Sequence, residues 1–119
     1  MRIPYMRLDR QFANHRNEIM AAVEAVFEHG RVLQGPEVGH FEHEAAQITG
    51  RDHAVAVASA TDALYMTLLA AGVQPGDRVA VPSFTFIASG SAIIRAGALP
   101  VFVDIGDAYQ PDTESLIRL

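Results

Sequence analysis

Residues Ala54–Ala71, AVAVASATDALYMTLLAA, decide the fold. The compact apolar run Ala54–Ala58 changes abruptly to helical spacing at Ala63, Leu64, Leu68 and Leu69. Between the two stand Ser59, Ala60, Thr61 and Asp62, small or polar residues that start helices well. The stretch therefore reads as a short strand running through a small-residue turn straight into a helix. The first N–H groups of a helix have no internal partner and lie at the positive end of its dipole. Backbone alone can hold a phosphate there, with the hydroxyls of Ser59 and Thr61 added. Ser59, Thr61 and Asp62 can each accept from the first turn, and the sequence does not choose among these caps. The turn has neither the glycine spacing and Lys of a P-loop nor a G-x-G-x-x-G fingerprint. Nucleoside triphosphates and NAD are not favoured, which leaves a smaller phosphate.

Working toward the C-terminus, Gly72 closes the helix and Gln74, Pro75, Gly76 and Asp77 form a turn. A strand follows at Arg78–Val81, interrupted by Pro82 and Ser83. Phe84, Thr85, Phe86 and Ile87 lead into a helix that reaches about Ala96 and stops at Gly97. Val101–Val103 is a third strand with Asp104 at its end, and Pro111–Leu119 begins another helix. Such alternation predicts an α/β fold with a parallel sheet, whose ligands bind outside the carboxyl ends of the strands. Ser59–Asp62, Ser83–Phe86 and Asp104 all belong to that edge.

Working toward the N-terminus, a helix beginning near Pro36 carries Val38, Phe41, Ala45 and Ile48 inward until Gly50. Arg31–Gly35 is a loop. Asn17–His29 is a helix with Ile19, Met20, Val23, Val26 and Phe27 on one face and Gly30 as its stop. Met1–Arg16, with Pro4 near its start, reads as an extended arm.

A chain of 119 residues that is 50% hydrophobic and 19% charged suits one globular domain. The net charge of −5 and dispersed Arg residues argue against nucleic acid or an anionic membrane as the main partner. Without Cys there is neither a disulfide nor a thiolate nucleophile. The start MRIPYMRLDR lacks the apolar core of a signal peptide and no run is long enough to span a bilayer, so a cytoplasmic location is expected. His40, His43 and Glu44 share a predicted helix without a third ligand at metal spacing, so no metal site is expected. All nine basic residues are Arg. With no Lys, this chain cannot form a Schiff base.

Four segments taken together, LQGPEVGHFEHEAA, HAVAVASATDAL, GVQPGDRVAVPSFTFIAS and AIIRAGALPVFVDI, resemble the N-terminal part of the DegT/DnrJ/EryC1/StrS family. These are pyridoxal-phosphate aminotransferases acting on nucleotide-linked keto-sugars, and the four motifs stand in the family's order from about Ile3 onward. The resemblance implies part of the large domain of fold-type-I enzymes, a three-layer α/β/α arrangement with a mainly parallel sheet, here truncated. It implies pyridoxal 5′-phosphate as cofactor, glutamate as amino donor, a nucleotide-sugar as acceptor and a homodimer with the cofactor at its interface. The Ser-Gly-Thr turn of the family falls on Ser59, Ala60 and Thr61, which with the N–H of Asp62 would hold the cofactor phosphate. Ala60 departs from the usual Gly, and a methyl group there makes positive φ costly. The Pro-Ser-x-Thr-aromatic motif matches Pro82–Phe86, so Phe86 would stack on the pyridine ring, while Phe84 is assigned to the core. Asp104 matches a strand end and is assigned a structural role.

The family's Schiff-base Lys and its pyridinium-pairing Asp lie beyond the matched region. The 119 residues are thus expected to be the arm and first part of the large domain, inactive alone. Two alternatives remain open at this stage. One is a dehydratase of the same family that uses the pyridoxamine form, and the other is a non-catalytic fragment that only binds a partner. The arm and the loop Arg31–Gly35 are expected at the subunit contact or the substrate entrance.

Overall fold

The computed structural model describes residues 4–118, in two compact units that divide between Ala56 and Val57. Residues 1–3 of the predicted arm and Leu119 of the predicted last helix lie outside the described residues.

The first unit is helical. Helix α1 runs Leu8–His29, so the second half of the expected arm is helical rather than extended. The physical reason is local: Leu8–Arg16 contains no Pro or Gly, and Asp9 in the first turn suits the helix dipole. Arg7 also donates to both oxygens of Asp9, at 2.8 and 2.6 Å. His15 leaves helical geometry at φ −116° and ψ 15°, and the kink falls close to the start predicted at Asn17. Gly30 ends α1 in the left-handed region at φ 72°. Helix α2, Pro36–Thr49, opens with Pro in its first turn and ends at Gly50, φ 63°, as expected.

The intervening loop is tied by side chains. His29 Nδ1 accepts from the Arg31 N–H at 3.1 Å, which leaves Nε2 to donate to Glu37 Oε1 at 2.9 Å. A Cβ at Gly35 would come within 2.6 Å of both Arg31 O and Glu37 Oε2, so only glycine fits there. The inward face predicted for α2 is not buried: Val38, Phe41 and Ile48 are exposed, Ala45 is half-buried, and only Ala46 is buried. Two helices and a short loop enclose too little volume to cover that stripe.

The second unit contains helix α3 (Ala60–Ala70), strand β1 (Arg78–Pro82), helix α4 (Ile87–Arg95), strand β2 (Leu99–Val103) and the short helix α5 (Thr113–Ile117). The strands pair in parallel, in a register running from Arg78 opposite Leu99 to Pro82 opposite Val103. Leu99 N–H to Asp77 O at 2.7 Å and Ser83 N–H to Val103 O at 2.8 Å extend the pairing at both ends. Val81, Ile93 and Ala98 form the core, with Leu68, Val73 and Val79 packed against them. Gly97, at φ 78°, stops α4 where a Cβ would meet Pro75 Cβ at 3.1 Å.

One predicted strand is missing. Ala54–Ala58 joins no ladder, and the described sheet has two strands rather than three. An extended segment becomes a strand only through an inter-strand partner. Here the Ala56 N–H is instead taken by the carboxylate of Glu42, at 2.7 Å.

Candidate functional site

The predicted turn is a helix N-terminus, and the structure selects its cap. Ser59, extended at φ −159° and ψ 160°, precedes α3 and accepts the Asp62 N–H at 3.1 Å. Its own hydroxyl proton goes to Asp62 Oδ2 at 2.9 Å, which makes the bond reciprocal. Ala60 occupies the first helical position, and it is not among the residues with positive φ. Its methyl group therefore costs the turn nothing, although the usual Gly would allow more. The N–H groups of Ala60 and Thr61 carry no hydrogen bond among the described residues. The Asp62 N–H, expected to face a ligand, is already taken by Ser59.

Asp62 has a second partner, 33 positions away in sequence. Arg95, in the last turn of α4, donates to Asp62 Oδ1 at 2.6 Å. Its guanidinium carbon also lies 4.1 Å from the centroid of the Tyr65 ring, a cation–π geometry. The Arg95 guanidinium first, and the Ser59 hydroxyl second, hold the Asp62 carboxyl below the usual carboxylate range. Arg95 and Tyr65 were not legible in the sequence as part of this turn. The only signal was a basic residue in the last turn of a predicted helix, and no local spacing joins it to Asp62.

Phe86 precedes α4 as its N-terminal boundary residue and makes no side-chain cap. The residue is 76% exposed, so packing does not account for it. Beside it, Thr85 Oγ1 and Ser89 Oγ share a hydrogen bond at 3.1 Å. Phe84 corrects the sequence reading, because it is 69% exposed rather than in the core. Its ring meets that of Tyr109 at 5.9 Å between centroids, tilted by 41°. Two aromatic residues in the four-residue loop Ser83–Phe86 cannot both enter a core already filled by Val81, Ile93 and Ala98.

Asp104 follows β2 and works through its backbone. Its N–H reaches Ser115 Oγ at 3.3 Å and its carbonyl accepts from Asp112 at 2.8 Å, which ties β2 to the start of α5. Parallel pairing sets Ser83–Phe86 and Asp104 at the same carboxyl edge of the sheet. The helices α3 and α4 pack on each other, but the turn at Ser59 meets the Arg95 end of α4. Phe86 stands at the other end of α4, nine residues before Arg95. No hydrogen bond joins Phe86 to Ser59–Asp62 among the described residues.

Among the described residues no group of three or more His, Asp or Glu is placed to hold a metal ion. No described helix is long and apolar enough to cross a membrane.

The chain is 45% identical over 103 residues to the dTDP-3-amino-3,4,6-trideoxy-alpha-D-glucose transaminase of Streptomyces venezuelae, covering 87% of this chain and 27% of that protein. It is 40% identical over 107 residues to the UDP-N-acetyl-3-dehydro-alpha-D-glucosamine 3-aminotransferase of Acidithiobacillus ferrooxidans, covering 90% of this chain and 29% of the relative. The solved structure of S. venezuelae DesV in complex with a ketimine intermediate superposes with a TM-score of 0.91 at 41% identity. That match covers 98% of this chain and 32% of DesV. The chain thus spans less than a third of the length of these relatives. Its two parallel strands and flanking helices are a partial fold-type-I domain. With the family's sequence model matching residues 13–119, the chain belongs to the DegT/DnrJ/EryC1/StrS aminotransferase family.

Proposed function

We propose that these residues form the arm and the first part of the cofactor domain of an enzyme that transfers an amino group to a keto-sugar linked to a nucleotide. In this reading glutamate is the amino donor, pyridoxal 5′-phosphate is the cofactor and the whole protein is a cytoplasmic homodimer. The observation that carries it is the start of α3. Two N–H groups with no hydrogen bond among the described residues, those of Ala60 and Thr61, lie at the positive end of an 11-residue helix, and Arg95 neutralises the first-turn carboxylate of Asp62. That donor set fits a phosphate group. The relatives' action on UDP- and dTDP-linked sugars supports the choice of acceptor.

When bound, the cofactor supplies an electron sink that carries the amino group between donor and acceptor. This chain's own residues bind and orient. The N–H groups of Ala60 and Thr61 and the Thr61 hydroxyl hold the phosphate, while Ser59 and Asp62 fix the turn. Phe86 offers an exposed ring face for the pyridine, worth about 0.5–1.5 kcal/mol beyond burial, enough to orient the ring but not to hold it alone. With no Lys among its 119 residues, the chain by itself provides no amine to carry the cofactor's aldehyde and is expected to be inactive.

In the whole protein, Thr61→Ala should raise the dissociation constant for pyridoxal phosphate about tenfold, as expected for the loss of a hydrogen bond to a charged group. Titration of the visible cofactor absorbance measures this. An unchanged constant would remove Thr61 from the site.

A further inference from the structure

We infer that Arg95 is a positioning residue for the phosphate seat, acting through Asp62: it cancels the negative charge that would otherwise oppose a phosphate in the first turn of α3. The inference rests on the proposed reading of that turn. A helix N-terminus attracts any anion, so an Asp in its first turn and a bound phosphate compete for the same positive field and repel each other. Asp62 is such a residue, and its side chain is only 29% exposed.

The structure resolves the conflict from another helix. Arg95 meets Asp62 Oδ1 at 2.6 Å while Ser59 donates to Oδ2 at 2.9 Å, so both carboxylate oxygens are engaged. An exposed ion pair alone contributes little, because two mobile side chains must be ordered to form it. Here the Tyr65 ring, 4.1 Å from the guanidinium carbon, fixes the Arg95 head group and lowers that cost.

The arrangement also assigns the Ser59 hydroxyl. Its proton goes to Asp62 Oδ2 and its oxygen accepts the Asp62 N–H, so it has no proton left for a ligand. The phosphate is left with the Ala60 and Thr61 N–H groups and the Thr61 hydroxyl. Ser59 thus serves the seat as a brace.

The test measures the affinity of the whole protein for pyridoxal phosphate and for pyridoxal, which lacks the phosphate, in four forms: wild type, Thr61→Ala, Arg95→Met, and Arg95→Met combined with Asp62→Asn. Met keeps an apolar stem over Tyr65 while removing the charge. Arg95→Met should weaken pyridoxal phosphate about tenfold and leave pyridoxal unchanged, because only the phosphate senses the exposed carboxylate. Adding Asp62→Asn should restore affinity to within about twofold.

A double variant as weak as Arg95→Met would overturn the inference and make Arg95 a direct phosphate ligand or a scaffold residue. An Arg95→Met variant with unchanged affinity would overturn it as well. If Thr61→Ala also has no effect, the proposed phosphate seat itself is wrong. If Thr61→Ala weakens binding and Arg95→Met does not, only the role of Arg95 fails. Should Arg95→Met not fold, Asp62→Asn alone decides: affinity must hold or tighten, and a loss of about threefold or more overturns the inference.

Discussion

The starts of α3 and α4 are both helix N-termini that serve the proposed site, yet they are held in different ways. At α3 the start is fixed by polar chemistry: Ser59 and Asp62 cap each other and Arg95 completes the cluster, while α3 has no fully buried residue and gives the core only the half-buried Leu68. At α4 no side chain caps the helix, and its position comes from burial of Ala88, Ala92 and Ile93. A phosphate seat needs its donors fixed to within a fraction of an ångström, which hydrogen bonds provide. A ring platform needs only a rigid base behind an exposed face, which packing provides.

The most damaging way to break this comparison is to hollow the base of α4. Ile93 is 4% exposed, in contact with Val81 and Ala98. Ile93→Ala should cost about 2–5 kcal/mol, measured as a shift in denaturant midpoint of the whole protein. Removing the cap of α3 is the milder cut. Ser59→Ala should cost about 0.5–2 kcal/mol by the same measurement. A cost as large as that of Ile93→Ala would mean that the turn, rather than the core, anchors this unit.

The polar cluster should also respond to acid. The pKa of Asp62 is lowered in the folded state, chiefly by Arg95. Its stabilising contribution is therefore complete above the ordinary value of 3.8 and is lost as pH falls through the lower folded value. Thermal melts between neutral pH and acid should fall less steeply below that value in Asp62→Asn than in the wild type. The smallest expected effect is at Phe86. With Phe86 76% exposed, Phe86→Ala should change stability by no more than about 0.5 kcal/mol, while weakening cofactor affinity and shifting the cofactor spectrum. A large loss of stability would return Phe86 to a structural role.

Much of the local structure was legible in the sequence, because it depends on neighbours along the chain. Gly30 and Gly50 stop their helices in the left-handed region, and Pro36 opens α2 in the first turn. The turn after Gly72 and the helix between the two strands lie close to where turn residues and apolar spacing put them. Even the misjudged arm left a trace, since the predicted start at Asn17 falls just after the kink at His15.

Tertiary structure decided what depends on distant partners. Ala54–Ala58 has the composition of a strand as clearly as Arg78–Pro82, but among the described residues only the latter finds a partner strand, β2. Ser59, Thr61 and Asp62 were equal candidates for the cap until the geometry gave the position to Ser59 and left Asp62 to Arg95. Composition could not separate Phe84 from Phe86, and exposure alone leaves both rings outside the core. The sequence by itself determined where the helices stop and where a turn could receive an anion, because backbone preference and dipole act over a few residues. Which groups neutralise, brace or cover that turn was decided only by the fold, because charge pairing and burial act between residues far apart in the chain.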